Sequence, residues 1–223
     1  RKVEDRIAFA YQYLNTAVQS TDVGISPELI VKAEVPDDYD CLGVGIDLSA
    51  GLNEKNDWTV FTLAGIKEGK IYLIDQRRIR SMGNIEKMDI LCEMLADWNI
   101  LLENDESQYF PTMSPCIIWP EAVAYQTSFE GDFKRIMFED RALYNLSCSP
   151  VKGFKGDKLA RLRGVLGLYE HKKIVWNKWR KWDVLEDELL NFGHASHDDA
   201  VDSMVLTIGG LMRRGSIQLD YSA

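Results

Sequence analysis

Two runs rich in β-branched and aromatic residues, DWTVFTLAG (57–65) and GKIYLIDQRR (69–78), are joined by the tight turn KEG. A connection that short allows only an antiparallel pair, because parallel neighbours need a crossover of a dozen or more residues. A third apolar run, CLGVGIDLS (41–49), comes just before them and carries Asp47 near its end. Three consecutive strands with short connections predict an antiparallel meander, which fixes one half of a sheet.

Beyond the meander the pattern alternates. Met88, Leu91, Cys92, Leu95, Trp98 and Leu102 recur at helical spacing and predict a helix over 84–103. A polar loop, NDESQYFPTMS (104–114), leads into PCIIWPE (115–121), a continuous apolar run that reads as a strand covered on both faces and ending in Glu121. Helices are expected over 128–141, 156–170 and 182–192, with short strands at 146–151 and 172–176 between them. A final helix is expected over 197–212. This order predicts an α/β fold whose sheet is mixed rather than fully parallel. Residues 1–40 read as peripheral: an amphipathic helix, RIAFAYQYLNTAV, then an extended linker broken by Pro27 and Pro36.

Composition narrows the function classes. No apolar stretch approaches the roughly 20 residues of a membrane span, and no signal peptide opens the chain, so no membrane partner is expected. Arg1 stands where an initiator Met would, which points to a piece of a longer protein. The four cysteines (Cys41, Cys92, Cys116 and Cys148) form no CxxC pair, which argues against zinc and against a disulfide framework. They read as buried thiols of a cytoplasmic protein.

Net charge is −9, which alone argues mildly against a nucleic-acid partner. The charge is unevenly spread, however. Between Val151 and Trp182 ten basic residues face two acids, a net +8, while the remainder holds 16 basic and 33 acidic residues, a net −17. Such a basic band on an acidic body suits a polyanion held locally, or simply a solvated helix face.

The acids fall at telling places. Asp47 and Glu121 end apolar strands, and HASHDDAVDSM (194–204) crowds Asp198, Asp199 and Asp202 against the start of an apolar helix. In an α/β sheet the carboxyl ends of central strands and adjacent helix starts gather at one edge. Ionised carboxylates gathered there repel unless a cation neutralises them, and an all-oxygen set suits Mg²⁺ or Mn²⁺ rather than zinc. Two such ions about 3.5–4 Å apart clamp the attacking and leaving oxygens in phosphodiester hydrolysis.

Each acid also has a plainer reading. Asp47 fits a turn residue, Glu121 an exposed strand end, and Ser196-His197-Asp198-Asp199 an N-cap with acids in the first turn. Capping accounts poorly for Asp202. On a helical wheel Val201, Met204, Val205, Ile208, Leu211 and Met212 form one stripe, with Asp198 and Asp202 on its edge. That arrangement faces Asp198 inward if the helix already includes it; a later start frees Asp199 instead.

The ordered set GVGIDLSAG, DWTVFTLAGIKEGKIYLIDQRRIR, IIWPEAVAYQTSF, VKGFKGDKLARLRGVLGLYEHKKIVW, LEDELLNF and HASHDDAVDSM resembles the C-terminal nuclease domain of the large terminase subunit of tailed bacteriophages and prophages, over roughly 41–213. The resemblance implies an RNase H-like fold: three antiparallel strands, then parallel strands, with helices on both faces. Residues 1–40 would then be a linker or remnant from an upstream ATPase domain, and 214–223 a C-terminal tail. It implies a metal-dependent endonuclease, using Mg²⁺ or Mn²⁺ and a pair of ions, that cuts concatemeric viral double-stranded DNA during packaging in the bacterial host cytoplasm. Its partners would be the procapsid portal and the small terminase subunit. By position, Asp47 and Glu121 match the first two metal-binding acids. Asp199 best matches the third, with Asp198 as a neighbour sharing the role and His197 as a candidate ligand. Asp202 falls to a supporting or structural place. Lys155, Lys158 and Arg161 lie in the stretch matched to DNA-backbone contacts. Many relatives carry Asp where Glu121 stands.

Two rivals compete with that reading. GIDLSAG also resembles the first phosphate loop of actin-like sugar and acetate kinases, but a second glycine-rich loop is needed and Gly209-Gly210 lie inside the last expected helix. The other rival is a nuclease-inactive docking domain of the packaging motor. No GxxxxGK[ST] loop occurs, so the chain cannot drive translocation alone. No base-reading element is visible either, which makes sequence-nonspecific cutting the default.

Overall fold

The structure is a computed structural model that describes residues 25–48, 58–80, 83–121, 126–151, 158–192 and 197–214. The helix expected over 6–18 and the basic residues Lys152 and Lys155 lie outside them, as do the side chains of Lys158 and Arg161. Among the described residues no helix is long and apolar enough to cross a membrane.

The meander forms as expected from β2 (Cys41–Asp47), β3 (Trp58–Lys67) and β4 (Lys70–Arg80). Lys67 pairs with Lys70, and the two residues between them, Glu68 and Gly69, have φ of 50° and 70°. Positive φ at both central positions is the turn whose twist matches that of an antiparallel hairpin. The remaining strands of the main sheet are β1 (Val31–Ala33), β7 (Cys116–Pro120), β8 (Leu146–Cys148) and β9 (Ile174–Asn177). The sheet has seven strands in the order β1-β9-β4-β3-β2-β7-β8; β2, β3 and β4 are antiparallel, and every other pairing is parallel.

Helices cover both faces. On one lie α1 (Asn84–Asp97) and α2 (Gln126–Phe133), the latter continuing as a π-helical segment over Lys134–Asp140; their apolar side chains pack against Val44, Ile46, Phe61, Leu63 and Ile74. On the other lie α3 (Lys158–Glu170), α4 (Asp183–Leu190) and α5 (Asp199–Arg214), packed against Val60, Ala64, Leu73, Trp119 and Trp176. Residues of β2 alternate between these faces, as a strand must.

Three expectations need correction. The helix predicted to reach Glu103 ends at Asp97, and Leu101–Glu103 is a strand, β5, paired antiparallel with β6 (Tyr109–Pro111) inside the expected polar loop. Asn99 breaks the helix with φ of 54°, and Leu102, which continues the helical spacing in sequence, is exposed on the strand that follows. The stretch expected as linker contributes Val31–Ala33 to the sheet edge, paired with β9. The final helix begins at Asp199, two residues later than expected, and ends at Arg214.

Candidate active site

The site edge is set by register. β2 and β7 run parallel with Ile46 opposite Pro120, so Asp47 and Glu121 are the next residues on adjacent strands. The Glu121 N–H donates to the Ile46 carbonyl at 3.1 Å, which locks that alignment. Asp47 also pairs with Val60, and Val60 with Arg78, so one row crosses four strands: Glu121, Asp47, Val60, Arg78. Val60 packs beneath the α5 layer, and residues opposite one another in a sheet share a face. The whole row therefore faces α5.

Helix α5 lies close over that row because the strand beneath it has no side chain to hold it off. A Cβ added at Gly45 would fall 2.6 Å from both the Ser203 carbonyl oxygen and the Thr207 nitrogen. Hydrogen bonds fix the docking. Gln76 Nε2 donates to Thr62 Oγ1 (2.8 Å), Thr62 Oγ1 meets Ser203 Oγ (2.8 Å), and Ser203 Oγ donates to the Gly45 carbonyl (3.0 Å). The Gly45 N–H in turn donates to Thr207 Oγ1 at 3.0 Å. Gln76 Nε2 also reaches the Ala200 carbonyl at 3.0 Å, tying the first turn of α5 to β4. Thr62, Ser203 and Thr207 are buried and Gln76 partly so, and each is hydrogen-bonded, so the position of α5 along the strands is specified rather than merely packed.

This docking brings the start of α5 to the Arg78 end of that row. Asp199, its first residue, stands with Oδ2 3.8 Å from Arg78 Nη2 and 3.9 Å from His197 Nδ1. Asp198 precedes the helix, and its carbonyl accepts the Asp202 N–H at 2.8 Å, as an N-cap residue's does. The condition under which the wheel faced Asp198 inward is therefore not met. Asp202 is buried within the helix.

Two residues that sequence reasoning passed over belong to this environment. Glu188 of α4 is 3% exposed, and its Oε2 accepts the N–H groups of Ala200 (2.8 Å) and Val201 (3.2 Å). Burial raises the Glu188 carboxyl above its ordinary range, while those two N–H groups and Arg78 hold it down. Arg78 is stacked on Trp58, its guanidinium carbon 4.0 Å from the ring centroid. Burial lowers the guanidinium, and Glu188 and Asp199 oppose that. A sequence signal for Glu188 exists: it falls with Leu185 and Leu189 on the apolar stripe of α4, where a charge is out of place.

The donor types suit a hard divalent cation: carboxylates at adjacent strand ends and a carboxylate at the start of α5. Among the described residues, no group of three or more His, Cys, Asp or Glu side chains is gathered closely enough to hold a metal ion. Asp47 and Glu121 are brought together by the strands, while Asp199 is held toward Arg78 and His197.

The same architecture is found in solved structures. The nuclease domain of the large terminase from thermophilic phage G20c, solved with bound magnesium, superposes with a TM-score of 0.53 at 15% identity over 82% of this chain and 93% of that one. The human cytomegalovirus terminase nuclease domain gives 0.56 at 11% identity, over 83% and 94%. The chain has the RNase H-like fold of terminase nuclease domains. The large terminase of a thermophilic bacteriophage matches with a TM-score of 0.54 at 16% identity, over 84% of this chain but 43% of its own length. The chain thus spans less than half of that protein. No family model and no curated protein sequence matches it. Of the glycines that resembled phosphate loops, Gly45 and Gly210 serve packing. Added Cβ atoms at Gly43 and Gly210 would each meet the Trp119 ring, at 2.0 and 2.2 Å.

Proposed function

We propose that the chain is a metal-dependent DNA endonuclease of a viral genome-packaging machine. The observation that carries this is the row Glu121–Asp47–Val60–Arg78 facing the start of α5, at the strand ends of a terminase nuclease fold. Asp47 and Glu121 would hold a divalent ion, Mg²⁺ or Mn²⁺, with Asp199 as the third carboxylate and Asp198 and His197 beside it. When bound, the metal, as a pair of ions, supplies charge stabilisation to phosphodiester hydrolysis and lowers the pKa of the attacking water. The chain's own residues do the positioning. The β2–β7 register sets the separation of Asp47 and Glu121, and the Gln76–Thr62–Ser203 chain sets the height of α5 above them. Arg78 counters the negative charge at the helix start, which keeps several carboxylates tolerable at one edge.

The substrate in this reading is concatemeric double-stranded DNA, held through phosphates by the basic band that includes Lys155, Lys158 and Arg161. The bound magnesium of the phage G20c domain supports the choice of metal. An ATPase domain, a procapsid portal and a small terminase subunit would be the partners of the longer protein, at work in the bacterial host cytoplasm.

Supercoiled plasmid incubated with the protein and Mn²⁺ should be nicked and then linearised, and excess chelator should stop both. Asp47→Ala should abolish cutting. Equal cutting by Asp47→Ala, or cutting in chelator, would sink the assignment and leave a docking domain as the better reading.

A further inference from the structure

Helix α5 is capped from outside itself. The N–H groups that an N-cap side chain ordinarily accepts are those of the second and third helical residues, here Ala200 and Val201. Both donate to one oxygen of Glu188, which lies 12 residues before Ala200 on a different helix. The other oxygen, Oε1, is buried and accepts no hydrogen bond among the described residues. An aliphatic side chain would fill this place in the apolar stripe of α4 without the desolvation that a carboxylate suffers there. The position therefore spends core stability on a charged acceptor, and what that acceptor touches is the turn that carries Asp199.

The base from which Glu188 reaches is firm. The α4 helix is seated by Leu185 and Leu189, both fully buried, and by Trp182, whose Nε1 donates to the Asn177 carbonyl at 2.9 Å. Asn177 Nδ2 donates to the Ile74 carbonyl of β4 at 3.1 Å, and Lys32 of β1 bridges to Glu186 at 2.5 Å. The far edge of the sheet is thus linked through α4 to the first turn of α5. On the other side of that turn, Arg78 approaches Asp199 from β4.

We propose that Glu188 is a positioning residue for the candidate metal site: by holding the Ala200 and Val201 N–H groups it fixes where Asp199 stands above Asp47 and Glu121. This rests on the metal-nuclease reading above. The role needs an acceptor oxygen at the right reach, so Glu188→Gln preserves it. Glu188→Asp retains the charge but draws the oxygen back by one methylene, and so loses it. Groups that orient metal ligands typically change metal affinity by about 10–100-fold when removed.

The test follows free Mn²⁺ by its electron paramagnetic resonance signal in the wild type, Asp47→Ala, Glu188→Gln and Glu188→Asp, with amide exchange at Ala200 and Val201 measured by NMR. Glu188→Gln should bind Mn²⁺ within about twofold of the wild type and keep both amides protected. Glu188→Asp should bind at least tenfold more weakly and lose that protection, with Ser203 and Thr207 still protected. The proposal is overturned if Glu188→Asp is folded and binds as the wild type does. It is equally overturned if Glu188→Gln weakens binding tenfold, or if the wild-type Ala200 and Val201 amides exchange unprotected. If the wild type and Asp47→Ala bind Mn²⁺ alike, it is the metal reading that has failed, and the amide exchange still judges the cap.

Discussion

At the scale of single residues, burial decides chemistry most visibly at the thiols. Cys92 is pushed up to about 11 by burial, against the pull of Arg141, whose Nη1 lies 3.3 Å from the sulfur. Cys148 is pushed to about 12 for the same first reason, and burial raises Cys41 and Cys116 as well. A thiolate is the reactive form, so native protein at pH 8 should react slowly with iodoacetamide, and denaturant should expose four thiols. The linkage has a definite sign. An unfolded thiol ionises near 9.0, while folded Cys92 keeps its proton to about 11, so stability is full below pH 9 and falls as pH rises toward 11. Urea midpoints between pH 8 and 11 check this; a flat profile, or fast native labelling of Cys92, would contradict it.

The candidate acids stand out in the sequence at this same scale for a simple reason. Asp47 and Glu121 end apolar runs, and a strand end that faces a sheet edge is visible in one dimension. Glu188 and Arg78 were not read, because their roles depend on which helix crosses which strand. The stripe of α4 flagged Glu188 as misplaced, but nothing local says that its oxygen reaches Ala200. The choice between Asp198 and Asp199 turned on where a helix begins, which sequence patterns fix only to within a few residues.

At the scale of elements, the central contact is α5 on β2. The GVGID run places glycines on the strand face that α5 covers, and Ser203 and Thr207 fill the space with hydrogen bonds instead of side-chain bulk. Gly45→Ala would put a methyl 2.6 Å from backbone atoms of Ser203 and Thr207, where no side-chain rotation relieves it. We expect a loss of about 1–3 kcal/mol, the usual range for overpacking, read as a lowered Tm by circular dichroism, together with weaker cutting as Asp199 is lifted from Asp47. An unchanged Tm would show that α5 does not sit this close. Elements with a strong local pattern, such as the meander and α5, were readable in advance. The short parallel strand β1 and the β5–β6 pair were not: three residues carry no periodicity, β1 is defined by a partner far along the chain, and β5 continues an apolar run that reads as helix.

For the molecule as a whole, fold and charge bear on the proposed function in different ways. The three-layer sandwich, with an antiparallel half and a parallel half, brings strand ends and one helix start to a single edge. The body is acidic and the stretch 151–182 is basic, an asymmetry that a uniformly solvated surface does not require. Composition alone argues mildly against nucleic acid, and the placement of the charge brings a polyanion partner level with a solvated helix face. What no linear pattern carried was the support of the edge from the far side of the sheet, through Asn177, α4 and Glu188.

The central claim is that Asp47, Glu121 and Asp199 form one divalent-metal site. The most direct measurement is diffraction from crystals soaked in Mn²⁺, using its anomalous signal. The account predicts a peak between the Asp47 and Glu121 carboxylates, with Asp199 completing the ligands, and no such peak in Asp47→Ala. Manganese bound elsewhere on the protein, or a peak that persists in Asp47→Ala, would contradict it.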